Sequence, residues 1–235
     1  MNVVATARPE SGFEHRFFMA ALIGIFAVVV IGFAKTYYLK VAFGTPALPW
    51  LVHLHGALMT SWFLLFFTQA CLISTHRAHW HRRLGVFGAL LALAIVVIGP
   101  IVLMHATERA LHAPHGDRFF IVIFGVDLVI LTDFAILVAS AILLRRRSDW
   151  HKRLMLLATC SILLPAISRI PISALASFAL FYACVLVPVA VDGMRHRRLH
   201  PAFGWGAPLL IASQTLAFFG ATTHAWRDFV VRLFA

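Results

Sequence analysis

Uninterrupted apolar runs of about twenty residues recur along this chain, beginning at 17–38, and no other feature narrows its possible folds as much. A helix rises 1.5 Å per residue, so such a run spans the roughly 30 Å hydrocarbon layer of a bilayer, whereas barrel strands are about half as long and alternate polar with apolar. Backbone groups find no water inside that layer, which leaves helices as the elements these runs can form. Composition agrees: 61% of the 235 residues are hydrophobic, 12% are charged and the mean hydropathy is +0.89, outside the range of water-soluble domains. The expected fold is all-α, a polytopic integral membrane bundle of about seven transmembrane helices forming one domain over 1–235, with 1–16 as a cytoplasmic tail.

The spans fall near 17–39, 51–73, 85–106, 119–144, 154–169, 172–191 and 207–226. The stretch 154–191 is too long for one crossing, and "PAISRIP" at 165–171 divides it, because proline removes a backbone donor and clashes with the preceding turn. The first run is too long for the apolar part of a signal peptide and lacks a small-residue cleavage site before its end, so it counts as a retained helix. Seven spans put the loops around 74–84, 145–153 and 192–206 on the N-terminal side. That side carries 13 of the 20 Lys and Arg: Arg8, Arg16, Arg77, Arg82, Arg83, Arg145, Arg146, Arg147, Lys152, Arg153, Arg195, Arg197 and Arg198. The positive-inside rule makes it cytoplasmic, giving an N-in/C-out protein expected in a bacterial inner membrane. Trp80, Trp150 and Trp205 then mark the inner interface, and Trp50 and Trp226 the outer one. The net charge of +11 is spent on topology, which argues against nucleic acid as a partner and for lipid. Cys71, Cys160 and Cys184 lie in apolar segments at unrelated spacings, with neither a disulfide framework nor a CxxC site among them.

The sequence also repeats itself. "WHRRLG" at 80–85, "WHKRLM" at 150–155 and "RHRRLH" at 195–200 each precede an odd-numbered span, as expected of one hairpin unit used three times. Inner-leaflet preference for Trp, Arg and Lys explains part of this, but not the histidine at the second position each time.

The chain's 13 histidines sort into two layers. His53, His55, His105, His112, His115 and His224 belong to the outer side; His15, His76, His79, His81, His151, His196 and His200 to the inner. On a helix, His53 and His55 point about 200° apart, so only one of them faces the bundle. His55, Trp62 and Gln69 recur every seven residues, with Met59 and Phe66 between them, which puts His55 on an inward stripe. Gly56 beside it lets a helix or a flat cofactor approach the backbone. His105 and His224 end their spans at the same depth, so His55, His105 and His224 form the expected outer site, either as axial heme ligands or around a metal with an open position. Asp127 and Asp133 lie inside an apolar run, where a carboxylate is costly unless protonated or paired. Asp127 is expected to pair with Arg169 or to hold the second nitrogen of a ligating histidine, and Asp133 to meet Gln214. His76, His79 and His81 sit among arginines that repel metal cations and fit contact with anionic headgroups better. Ser-His-Asp, HExxH, Walker and GxGxxG patterns are absent from any credible setting.

His55, Gly56, Gln69, Arg77 and "HRRLG" at 81–85, followed by "HKRLM" at 151–155 and Arg169, resemble uncharacterised bacterial polytopic membrane proteins whose layout is similar to cytochrome b561-type bundles. The resemblance covers about half the chain. It implies histidines in two layers, b-type heme, and electron exchange with a quinone or a soluble donor. Carried over, His55 is an outer-layer ligand and His81 and His151 are inner-layer positions. No helix here carries two histidines one leaflet apart, and Gln69 stands where an inner one would be.

Three functions fit these residues. The first is a redox protein with an outer heme on His55 and His105 or His224, tuned by Asp127. The second is a metalloenzyme holding zinc, copper or iron on the same histidines, with Asp127 as general base. The third is a proton-coupled transporter or assembly subunit lined by Asp127, Asp133 and Arg169.

Overall fold

The computed structural model describes residues 12–113 and 118–234, and every regular element among them is helical. Helix α1 (Gly12–Phe33) passes into one π-helical segment (Ala34–Tyr38) and is followed by α2 (Trp50–Ser74), α3 (Ala78–Leu111), α4 (Arg118–Leu143) and α5 (Ser148–Ser161). A short α6 (Leu164–Ile167), α7 (Ala174–His196), α8 (Pro201–Ala221) and α9 (His224–Phe234) complete the order. Among the described residues six helices are long and apolar enough to cross a bilayer: α1 with its π segment, α2, α3, α4, α7 and α8. The chain is a multi-pass membrane protein. The expected N-terminal tail is helical from Gly12 onward, and residues 1–11 lie outside the described residues.

The fifth crossing is made in two pieces. At its start, the His151 ring lies 6.2 Å from the His81 ring near the start of α3. At its finish, α6 meets the far part of α1, where a Cβ on Gly32 would fall 2.1 Å from the Ala166 carbonyl oxygen. The α5–α6 run thus joins opposite ends of the bundle. The break follows from chemistry: Pro165 has no N–H, so the Ser161 carbonyl loses the donor that a continuous helix would offer four residues on. Gln214 of α8 supplies one instead, its Nε2 donating to that carbonyl at 3.0 Å. Leu154, Leu157, Ala158, Cys160, Leu163 and Ile167 are buried, so this interrupted run occupies the middle of the bundle, where protein rather than lipid surrounds its freed backbone groups.

Several boundaries differ from expectation: α5 starts at Ser148 where 154 was expected, and α7 runs to His196 where 191 was expected. Helix α3 outruns its apolar core at both ends: its 34 residues make about 50 Å, longer than the hydrocarbon is thick. The final span, expected over 207–226, starts at Pro201 and stops at Ala221. His200 caps its start by accepting from the Ala202 N–H at 3.1 Å, and Pro201 fits the first helical position, where no N–H is needed. At the other end the Thr223 hydroxyl donates to the Gly220 carbonyl at 2.7 Å and accepts from the Trp226 N–H at 3.2 Å, which starts a new helix. That helix, α9, is amphipathic. Trp226 and Val230 pack on Phe124 and Ile121 of α4, while Arg227, Asp228 and Arg232 are exposed. Such a helix lies along a membrane surface.

The threefold repeat reduces to two. "WHRRLG" and "WHKRLM" both occupy the first turns of their helices in the same register, each tryptophan two residues after the helix start. "RHRRLH" instead ends α7, whose last residue is His196, and Arg197 then turns left-handed at φ 51°.

Candidate functional site

The expected outer histidine layer is not assembled. The Nδ1 of His55 on α2 is buried and has no hydrogen-bond partner. Because α3 continues as a helix to Leu111, it carries His105 on its surface, where the side chain is 61% exposed and faces Glu108 at 3.7 Å. The Thr223 cap turns the chain before His224, which is exposed. Among the described residues no group of three His, Cys, Asp or Glu is placed to hold a metal ion. His112 bonds the Glu108 carbonyl at 2.8 Å, and His115 lies outside the described residues.

His55 has other company. The charge of Arg169 acts on both His55 and Asp127, although among the described residues no ion pair or hydrogen bond joins it to Asp127. The guanidinium also stands 4.7 Å over the Phe33 ring and donates to the Pro165 carbonyl. The space above Gly56 is taken by the chain itself. A Cβ there would sit 2.4 Å from the Tyr37 ring, whose hydroxyl donates to the His53 carbonyl at 3.2 Å.

The seven-residue stripe of α2 faces inward at its centre. Trp62 is 2% exposed and packs edge-on against Phe134 at 4.8 Å. Each member of the stripe keeps a buried polar atom without a partner: His55 Nδ1, Trp62 Nε1 and Gln69 Oε1. Asp133, 2% exposed, does meet α8 as expected; Ser213 Oγ donates to its Oδ2 at 2.7 Å, and Gln214 Nε2 lies 3.5 Å from the same oxygen.

At the basic end two imidazoles come together. His81 and His151, equivalent in the two surviving repeats, have ring centres 6.2 Å apart at an interplanar angle of 85°. His151 Nδ1 lies 2.9 Å from the Ala141 carbonyl, an acceptor only, so Nδ1 carries the hydrogen and Nε2 keeps its lone pair. The His81 ring lies beside the Gln69 backbone acceptor, and its Nδ1 is buried without a partner. His151 is therefore held by a backbone carbonyl near the end of the preceding helix, and each ring retains a nitrogen without a partner. This is the arrangement that orients metal-bound imidazoles.

Several other polar groups of that end are engaged with one another. Arg153, 4% exposed, bonds Asp192 of α7 through Nε at 3.1 Å and through Nη2, and its Nη1 donates to the Asp149 carbonyl at 2.8 Å. His200 Nδ1 accepts from the backbone, so its Nε2 is the nitrogen that donates to Asp149 Oδ2 at 3.0 Å. His196 faces the Asp192 carbonyl at 2.9 Å. Reading "HRAHWHRR" as a lipid-facing basic loop overlooked that His81 belongs to a pair; the matching register of the two repeats was the available signal.

Compared with protein-family models, with curated proteins and with solved structures, the chain matches none.

Proposed function

We propose that the chain is a redox protein of a bacterial inner membrane that holds a b-type heme through His81 and His151 and exchanges electrons with a quinone or another lipid-soluble partner. The observation that carries this reading is the His81–His151 pair, two half-buried rings with one free nitrogen each. The donor set fits a heme better than a bare ion. Porphyrin nitrogens fill four positions on the iron and leave two for the protein, whereas zinc, copper or iron alone needs three or four protein ligands. With ring centres 6.2 Å apart, His81 and His151 would be the residues to hold such a group between them. A heme bound here supplies one-electron chemistry. The chain's own residues would orient the His151 imidazole through the Ala141 carbonyl and supply the cation Arg82 beside His81 for a propionate.

A lipid-soluble partner is favoured by the setting of the chain, whose six long apolar helices share the hydrocarbon layer in which such a partner dissolves. In this reading His55, Asp127 and Arg169 organise the opposite end and do not touch the cofactor.

The test is the absorption spectrum of detergent-purified protein, oxidised and dithionite-reduced, produced with heme in adequate supply. A Soret band with sharp reduced bands is expected in the wild type and in His55→Ala, and should be lost in His81→Ala and His151→Ala. A colourless wild type, or a band that survives both substitutions, overturns the proposal.

A further inference from the structure

The broken fifth crossing creates an electrostatic problem near the middle of the bundle. Helix α5 stops at Ser161, so the negative end of its dipole, normally found at a membrane surface, is buried. The Asp133 carboxylate is buried in the same cluster. Among the described residues Asp133 forms no ion pair with a Lys, Arg or His, and its polar neighbours are Ser213 and Gln214. Helix α2 approaches with Trp62 edge-on against Phe134, α3 with Gly99 against Leu131, α5 with Ser161, and α8 with Ser213 and Gln214. Two negative ends and no cation meet in a low-dielectric setting, where an uncompensated charge costs several kcal/mol.

The Gln214 amide partly relieves this. Its Nε2 points the positive ends of its N–H bonds at the Ser161 carbonyl (3.0 Å) and Asp133 Oδ2 (3.5 Å), while Oε1 is buried without a partner on a residue only 1% exposed. An amide nitrogen thus stands where a positive charge is wanted. Half a turn of the amide exchanges nitrogen for oxygen and leaves the Asp133 carboxylate, the Ser213 hydroxyl, the Ser161 carbonyl and Gln214 Oε1 converging. Those four are hard oxygen donors with one formal negative charge among them, a set suited to one small monovalent cation and too poor in charge for calcium or magnesium.

We infer that Asp133, Ser213, Gln214 and the Ser161 carbonyl, gathered at the break between α5 and α6, form a site for a single monovalent cation, sodium or a proton. The inference is independent of the His81–His151 reading and uses none of its residues. Broken helices that offer unwound carbonyls and a C-terminal end near the bilayer midplane provide this kind of coordination.

The test follows the unfolding temperature of detergent-purified wild type and Asp133→Asn in sodium chloride against choline chloride at constant ionic strength, repeated from pH 5 to pH 9. A cation that binds only the folded state raises that temperature with the logarithm of its concentration once its dissociation constant is passed. A sodium-dependent rise in the wild type that weakens toward low pH and is missing in Asp133→Asn identifies sodium as the occupant. A pH-dependent difference between the two proteins that ignores sodium identifies the proton. Identical responses of both proteins to sodium and to pH overturn the site. Should Asp133→Asn fail to fold, Ser213→Ala keeps the carboxylate and removes one oxygen donor; the sodium midpoint, or the pH midpoint in the proton case, should move several-fold, and an unmoved midpoint overturns the site equally.

Discussion

The two ends of the bundle are held together by different forces. At the basic end charges and rings from separate helices are tied to one another: Arg153 of α5 to Asp192 of α7, Asp149 of α5 to His200, and His81 of α3 beside His151 of α5. At the opposite end bare backbone lets neighbours come close. Gly32 admits the Ala166 carbonyl, Gly56 lies under the Tyr37 ring, and Gly125 touches both Ala221 and Trp226. The contrast follows from where sequence charge is available. A run of basic residues supplies cations that acidic and aromatic groups can engage, whereas the close approaches at the opposite end are made through van der Waals contact, which needs small residues.

Substitutions should separate the two modes. The largest effect is expected from Asp192→Ala, which strands the buried Arg153 guanidinium without its carboxylate; a loss of about 3–5 kcal/mol in reversible unfolding from detergent is the usual consequence of breaking a buried pair. Next comes Gly32→Ala. The new Cβ would fall 2.1 Å from a backbone oxygen that cannot swing aside, so α1 has to withdraw from α6, at a cost of about 1–3 kcal/mol measured in the same way. The smallest effect belongs to His105→Ala and His224→Ala. Both side chains are exposed, and each change should stay within about 0.5 kcal/mol and leave the absorption spectrum untouched. If Asp192→Ala proves milder than Gly32→Ala, the ionic description of the basic end fails. If His105→Ala alters the spectrum, the pairing of His81 with His151 fails with it.

Much of the architecture was legible in the sequence, because a membrane span announces itself in one dimension. The apolar runs of α2 and α4 fixed their ends to within about one residue of 50–74 and 118–143. The fifth span was visible only as a stretch containing Pro165, since its polar residues are buried against α4, α7 and α8 and not spread along an apolar run. The site was harder to read. Depth along the membrane grouped His55, His105 and His224, but depth is only one coordinate, and rotation about each helix axis sends His105 outward. His55 with Trp62 and Gln69 could be placed on one face because all three share a helix. The repeats mark His81 and His151 as equivalent positions, but that the two meet depends on how two hairpins pack.

The interruption at Pro165 also bears on how the protein is made. A segment that begins with Asp149, His151, Lys152 and Arg153 and loses its helix at Ser161 offers the insertion machinery little to recognise by itself. Its stabilising partners, Asp192 and Gln214, are synthesised 39 and 53 positions after the residues they serve. The fifth crossing can therefore settle only once α7 and α8 have been translated. Until then the nascent protein has four apolar anchors and a fifth that waits, so a chain truncated before Gln214 lacks the donor its Ser161 carbonyl needs and is not a smaller version of the same bundle.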